Sequence, residues 1–422
     1  MVDSTQDVAV MDQLAICVRY VVQGKVYERL LEMTVIDDSS GQALYERITS
    51  ELAKYGIQAS NIVACSFDGA SNMKGCYNGL HAHFKKANEN MIYTHCMAHV
   101  LNLVVADSTV KLLQAENLFG LVEESAVFLS SSYKRMAVWE KETKKQHTAH
   151  DKLYRLQKIG ATRWWSKHKA LSSITDESVL RSGEIATDKL TNVITVLFKE
   201  ISDGNFDCKS RYMARNLASQ WAKFENLFIS FVLLDMFLVI TPVSKYLQTK
   251  TLDYAIAWDL VQTLLKQINE KRNDKYFEFL YTKTKEYATA VNSKLEDSNI
   301  DLELQLDFTE RRISKKKRMP GEQSSDDAPE ISAAQHFKHV FFNMLDCART
   351  SIEERFCPNR EILEDLSWLN PRKFNDIMTI KDFPAGVLSC ISKLYNVERS
   401  ILLIELKQFA DQYKSFIKVV NT

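Results

Sequence analysis

The sequence predicts an α/β core built on a mixed sheet, joined to a long all-helical region, with helix dominating the chain overall. Three observations predict it. Apolar residues alternate at period two from Leu14 to Val22; short apolar runs ending at Phe67 and His95 are each followed by helical patterning; and helical spacing continues almost without relief beyond Val110.

Leu14, Ile16, Val18, Tyr20 and Val22 mark one face of a strand, with Arg19 on the other. A second strand over 27–36 follows the turn-prone Gln23-Gly24-Lys25, so the two form a hairpin. Asp37-Asp38-Ser39-Ser40-Gly41 breaks that pattern. Leu44, Ile48, Leu52 and Tyr55 then recur at helical spacing, giving an amphipathic helix closed by Gly56. The run 61–67, rich in Ile, Val and Phe, reads as a buried strand ending on Asp68. A short helix over 79–87, a strand over 91–95 and a strongly apolar helix over 98–110 follow. With one further strand ending at Val2-Asp3 the order is βββαβαβα, the arrangement of ribonuclease-H-like folds. The first and fourth strands of that fold are neighbours, so Asp3 and Asp68 are carboxylates at converging strand ends.

Spacing predicts further helices over 112–129, 136–145, 179–201, 211–247, 254–269, 275–293 and 333–356, and two more within 375–418. The longest apolar stretch, 227–240, is interrupted by Ser230 and Asp235 and falls short of the ~18–20 residues that span a bilayer, so it reads as a buried helix. The basic run Arg311 to Arg318 precedes Pro320, Gly321 and a Ser/Asp-rich stretch, which together form an exposed loop over 311–328.

At 422 residues the chain exceeds what one core supports, and at least two structural units are expected. Hydrophobic residues at 45% with only 12 Gly and 6 Pro describe an ordered, soluble, helix-rich protein, not a disordered or fibrous one. Lys+Arg and Asp+Glu balance at 54 each, so any affinity for nucleic acid must come from local patches. Eight cysteines without a CxxC pair argue against a zinc ribbon and a secreted disulfide scaffold, and for a reducing compartment. No basic-plus-apolar signal segment follows Met1.

Five segments carry chemistry. Two-metal phosphoryl transfer needs acidic oxygens around ions ~3.5–4 Å apart, and Asp3 and Asp68 supply part of such a set; on spacing alone, turn and cap aspartates are favoured. Cys96 and His99 lie three apart at a strand-to-helix junction, which suits half a zinc site or a Cys–His pair. Core packing and hydrogen bonding to the Asp68 loop is the better reading. In Thr162-Arg163-Trp164-Trp165, an exposed Trp can stack on an unpaired base while the Arg meets a phosphate, although tryptophans are more often core anchors. The run Arg311 to Arg318 fits both a solvated loop and a nuclear-localisation or phosphate-binding patch.

In their order these segments resemble the hAT (hobo/Ac/Tam3) transposase superfamily, in the lineage of transposase-derived proteins with zinc-finger MYM-type and DUF4371 relatives. Val2-Asp3-Ser4-Thr5-Gln6-Asp7 is similar to that family's first-strand D-x-T-x-D, and Arg19-Tyr20 to its R-Y strand. The stretch Phe67-Asp68-Gly69-Ala70-Ser71-Asn72-Met73-Lys74-Gly75 resembles the second-carboxylate motif. His95-Cys96-Met97-Ala98-His99 resembles the C-x-x-H motif, and Thr162-Arg163-Trp164 the T-R-W segment, whose Trp is implied to stabilise flipped DNA.

The resemblance implies a ribonuclease-H-like core interrupted by a large all-α insertion, divided as 1–170 for the core with a helical extension, 171–332 for the insertion with its basic loop, and 333–422 for helices returning to the core. It implies Asp3 and Asp68 as remnant catalytic and metal-binding carboxylates, Arg163 and Trp164 as DNA contacts, and Cys96 and His99 as support. Mg²⁺ or Mn²⁺ is the cofactor of an active form, DNA and other hAT-type chains or nuclear proteins are the partners, and the nucleus is the location; neither a membrane nor a small-molecule substrate is implied. The N-terminal zinc finger and a C-terminal S-x-x-E-R-x-F-S-like segment in the dimerisation region are read as lacking between Met1 and Thr422. Glu353-Glu354-Arg355-Phe356 is superficially similar to the latter but is read as falling too early in the chain. With two of three acidic ligands, the expectation is a catalytically inactive transposase-derived protein with a residual DNA-binding or protein-interaction role. An active cut-and-paste transposase seen as a fragment and a helical interaction scaffold are the alternatives.

Overall fold

A computed structural model describes the chain apart from residues 7–10, 68–72, 74–77, 96–100, 102–103, 105–111, 145–155, 160–163, 203–206, 250–251, 311–331, 357–358 and 421–422; at 3–6, 95, 164–165 and 414–420 it describes the backbone alone. Two compact units divide it. The first comprises Met1–Leu103, Val243–Thr263 and Ile352–Thr422, and the second Val104–Pro242 and Leu264–Ser351.

In the first unit, β1 (Val2–Gln6), β2 (Asp12–Val22) and β3 (Lys25–Val35) form an antiparallel sheet in that order. The β2–β3 turn places both Gln23 and Gly24 at positive φ, 50° and 73°, the geometry whose twist matches a two-residue hairpin. A bulge between Ile16 and Cys17 shifts the register, and Tyr20 stacks on Tyr27 across the strands at 5.7 Å. β1 runs past Asp3 to Gln6, so Asp3 is not the strand end that the sequence suggests; it lies opposite Ala15. The reason is the ladder itself, which continues pairing as far as Gln6 with Asp12.

Helix α1 (Gly41–Lys54) begins at Ser40, whose side chain accepts from the Ala43 N–H, and buries Leu44, Ile48 and Leu52. Gly41 is required here. A Cβ at that position would stand 2.3 Å from the Asn78 carbonyl oxygen and 2.7 Å from the Leu80 nitrogen. Because both obstacles are backbone, Gly41→Ala is expected to lower stability by about 1–3 kcal/mol, read as a shift in the urea midpoint; an unchanged midpoint would refute this close approach.

A second sheet pairs β4 (Ala64–Phe67) in parallel with β5 (Ile92–His95), with α2 (Leu80–Ala87) between them in sequence. The strand expected over 61–67 is shortened because 59–61 forms a 3-10 turn, held where Asn88 Nδ2 donates to the Ser60 and Ile62 carbonyls. β1 and β4 come into contact, without a hydrogen-bonded ladder between them among the described residues. Val2, Leu14, Ile16, Phe67, Phe84 and Met91 belong to one buried cluster that both sheets share with α1. The expected helix over 98–110 falls almost wholly outside the described residues; Leu101 and Val104 are helical and fully buried.

The second unit is helical: α3 (Leu113–Ser130), α4 (Tyr133–Lys144), α5 (Trp164–Ser172), α6 (Ser178–Arg181), α7 (Asp188–Ser202), α8 (Cys208–Trp221), most of α9 (Phe224–Leu247), part of α10 (Tyr254–Lys271), all of α11 (Asp274–Asp297) and most of α12 (Ala333–Phe356). Two expected helices are broken. The one over 179–201 stops where Gly183 takes φ +76°, and resumes at Asp188. The one over 211–247 breaks after Trp221 because Gln305 intervenes: its N–H donates to the Ala222 carbonyl at 2.8 Å and its side-chain oxygen accepts from the Phe224 N–H at 3.4 Å. By length and composition α9 is apolar enough to cross a membrane, with a mean hydropathy of 2.2, yet 78% of that window is buried inside the protein. The first unit ends in α13 (Arg360–Ser367), α14 (Phe374–Thr379), α15 (Ser389–Tyr395) and α16 (Arg399–Val420), the last three standing where the sequence suggests two helices within 375–418.

Candidate functional site at the ends of the parallel strands

β4 and β5 run side by side in register, Phe67 opposite His95, so their carboxyl ends coincide. Such ends are where parallel α/β sheets receive ligands, because the loops that leave them diverge. The sequence leaves these two strands directly into its two strongest motifs, Asp68 after Phe67, and Cys96 with His99 after His95.

Phe67 anchors the pair. It is 1% exposed and tilts against Phe84 at 6.0 Å and Tyr93 at 5.6 Å. The Thr94 hydroxyl donates to the Cys65 carbonyl of the neighbouring strand at 3.4 Å. Burial pushes the Cys65 thiol up to about 12, so this cysteine is a core residue and not a nucleophile.

Asp68, Cys96, His99 and Arg163 lie outside the described residues. Asp3 is described by its backbone in β1, and Trp164 by its backbone as the first residue of α5. The first unit spans Asp3, Asp68, Cys96 and His99, while Arg163 and Trp164 fall in the second. Among the described residues no group of three or more His, Cys, Asp or Glu is placed to hold a metal ion.

A cleft of about 660 Å³ lies beside β5 in the first unit, lined by His81, Lys85, Tyr93, Glu354, Arg355 and Cys390 among others. The His81 ring stacks on Tyr93 at 4.5 Å, and burial, then Lys85, holds its imidazole below the ordinary range. Lys85 Nζ donates to the Met91 carbonyl at 3.2 Å. Cys390 lies 3.6 Å from a Glu361 carboxylate oxygen, and burial, then Asp365, raises its thiol, which suppresses thiolate chemistry.

Glu354 is the residue that sequence reasoning set aside. Residues 352–356, the end of α12, belong to the first unit and carry Glu354 and Arg355 to the wall of this cleft, although they follow the whole helical region in sequence. The sequence signal for it is the segment Ser351-Ile352-Glu353-Glu354-Arg355-Phe356.

In the second unit, α5 is fixed by His168. Its Nε2 is 3.0 Å from Glu177 and its Nδ1 3.2 Å from the Thr241 hydroxyl, while the ring packs on Phe237 at 5.2 Å. The hydrogen bond from His168, aided by Arg181, holds the Glu177 carboxyl below its usual range.

Residues 1–79 match the family model described as "DUF4371: ZMYM1/FAM200, RNase-like domain". The match begins at β1 and takes in β2, β3, α1, β4 and the Asp68 segment.

Proposed function

We propose that this chain derives from a hAT-type transposase, is built on a ribonuclease-H-like core in its first unit, and retains DNA binding without strand cleavage. The observation that carries this reading is the match of residues 1–79, which hold β1 to β4, to an RNase-like domain; the antiparallel β1–β2–β3 sheet, the contact of β1 with β4 and the parallel pairing of β4 with β5 beyond the match support it. On this reading the strands belong to one sheet in the order 3-2-1-4-5 and the second unit is the helical insertion; the contact of β1 with β4 supports it. Nuclear residence belongs to the same reading, with Arg311 to Arg318 as its sequence correlate.

Carboxylate oxygens suit Mg²⁺ or Mn²⁺, and Asp3 and Asp68 are the residues of this chain that would hold such an ion. When bound, it would activate the attacking oxygen and stabilise the leaving one. The second reading, an active metal-dependent strand-transfer enzyme, is favoured by Glu354, which supplies a further carboxylate to the unit that contains Asp3 and Asp68.

Cleavage of labelled hairpin-prone DNA ends in Mn²⁺, by the parent chain, Asp68→Ala and Glu354→Ala, separates the two readings. Equal, background-level cleavage by all three is expected. Cleavage by the parent that both substitutions reduce by about 100-fold or more would overturn the inactive reading and establish the second.

A further inference from the structure

Helix α8 carries a surface that neither the core nor the motif segments use. Its inner side is Ala214, Leu217, Ala218 and Trp221, all buried. The outer side is centred on Tyr212, which is 73% exposed. At 3.6 residues per turn, Lys209 and Arg215 lie about 60° to either side of that ring, with Arg211 further round on the Arg215 side. A cation therefore flanks the aromatic on both sides.

Lys209 helps to hold the Asp207 carboxyl below its usual range, after the Ser210 N–H, and Arg211 and Arg215 have no carboxylate on their own helix. Helix α8 contains no Asp or Glu, and Asp207 before it serves as the N-cap, its carboxylate accepting from the Ser210 N–H at 2.6 Å. Among the described residues, Lys209, Arg211 and Arg215 form no ion pair; the side-chain contact of Arg211 is to Cys208 Sγ at 3.6 Å, and its Nε is buried without a hydrogen-bond partner. Elsewhere in the same unit, cations are paired, as in Lys189 with Asp176 at 2.9 Å, Lys199 with Glu142 at 2.6 Å and Arg272 with Asp346 at 2.7 Å. Arg211 and Arg215 are also four apart on one helix, an arrangement in which like charges repel unless an anion lies between them. In a chain with no net charge, this is a local segregation that favours a polyanion.

The ring decides which polyanion. An acidic peptide would engage the cations and leave Tyr212 idle, and a duplex keeps its base faces stacked inside. A single strand offers both an unpaired base for the ring and phosphates for the cations. We propose that the outer face of α8 binds single-stranded DNA, with Tyr212 stacking on an unpaired base and Lys209, Arg211 and Arg215 meeting the adjoining phosphates. This rests on the DNA-binding reading above and assigns it a surface in the second unit.

Fluorescence anisotropy of a labelled single strand of about 20 nucleotides, titrated with the full chain across a salt series from about 50 mM, tests it. The triple variant K209Q/R211Q/R215Q is expected to bind about ten-fold or more weakly and to lower the salt slope by about 2. Tyr212→Ala is expected to weaken binding by about five-fold or more with the slope unchanged. A surface control, K266Q/K275Q/K285Q, should bind as the parent does. Thermal melts establish that the variants fold, and the double variant K209Q/R215Q, at two exposed positions, repeats the test without Arg211, whose Nε is buried. Parent-like binding by the triple variant would overturn the α8 assignment while leaving DNA binding intact elsewhere. Failure of the parent itself to bind at the lowest salt would overturn both. Equal competition by polyglutamate, or an unaffected Tyr212→Ala, would overturn the single-stranded assignment in favour of an acidic partner or of duplex DNA.

Discussion

Asp235→Ala is expected to destabilise the second unit by about 3–5 kcal/mol, measured by urea denaturation of the full chain. Asp235 sits in the middle of α9, the most apolar of the described helices, and would be intolerable there alone. Both of its oxygens accept from Lys271 Nζ at 2.8 Å, and one also accepts from the Tyr276 hydroxyl at 2.9 Å. The Lys271 ammonium is itself 2.5 Å from that hydroxyl and only 15% exposed. Burial, then the Asp235 charge, raises the Tyr276 hydroxyl above the ordinary tyrosine range, so it stays a donor. Removing the carboxylate strands an ammonium in apolar surroundings, and that cost exceeds the value of the pair. The double variant Asp235→Leu/Lys271→Met should recover most of the loss, because it removes both charges at once. A single variant as stable as the parent, or a double variant no better than the single, would show that the pair is a surface feature and not a buried one.

Phe67→Ala is expected to cost the first unit about 3–5 kcal/mol, the range for truncating a buried aromatic. The side chain closes the end of β4 against Phe84 and Tyr93, so its loss opens a cavity beneath the strand that leads into Asp68. Phe67→Leu should recover more than half of that. A loss under about 1 kcal/mol for the alanine variant would mean that the two sheets do not share a core at this residue. Because Phe67 and Asp235 lie in different units, the two losses should add when combined, as independent sites do.

Much of the fold is written in neighbouring residues. The β2–β3 hairpin follows from period-two alternation and a Gln-Gly turn that tolerates positive φ, and α1 from its Ser40 start and Gly56 end. The apolar run at 227–240 is a buried helix as its Ser230 and Asp235 interruptions imply. The helix over 333–356 begins and ends where its spacing says it should. Of the candidate site, the strands that lead into Asp68 and Cys96 are legible for the same reason, and the Glu353-Glu354-Arg355-Phe356 segment is visible too, but its place beside β5 is not, because that depends on a return of the chain after the helical region.

What escapes local reading has a common cause. The break after Trp221 needs Gln305, the 3-10 turn at 59–61 needs Asn88, and the acceptability of Asp235 needs Lys271, each supplied by a residue far along the chain. The grouping of Met1–Leu103 with Val243–Thr263 and Ile352–Thr422 is of the same kind. Periodicity, turn chemistry and capping act over a few residues, so residue order alone suffices for individual strands and helices and for the motifs at their ends. Which segments share a core, and which charges are neutralised and which left for a partner, depends on contacts between distant residues, and those exist only once the chain has folded.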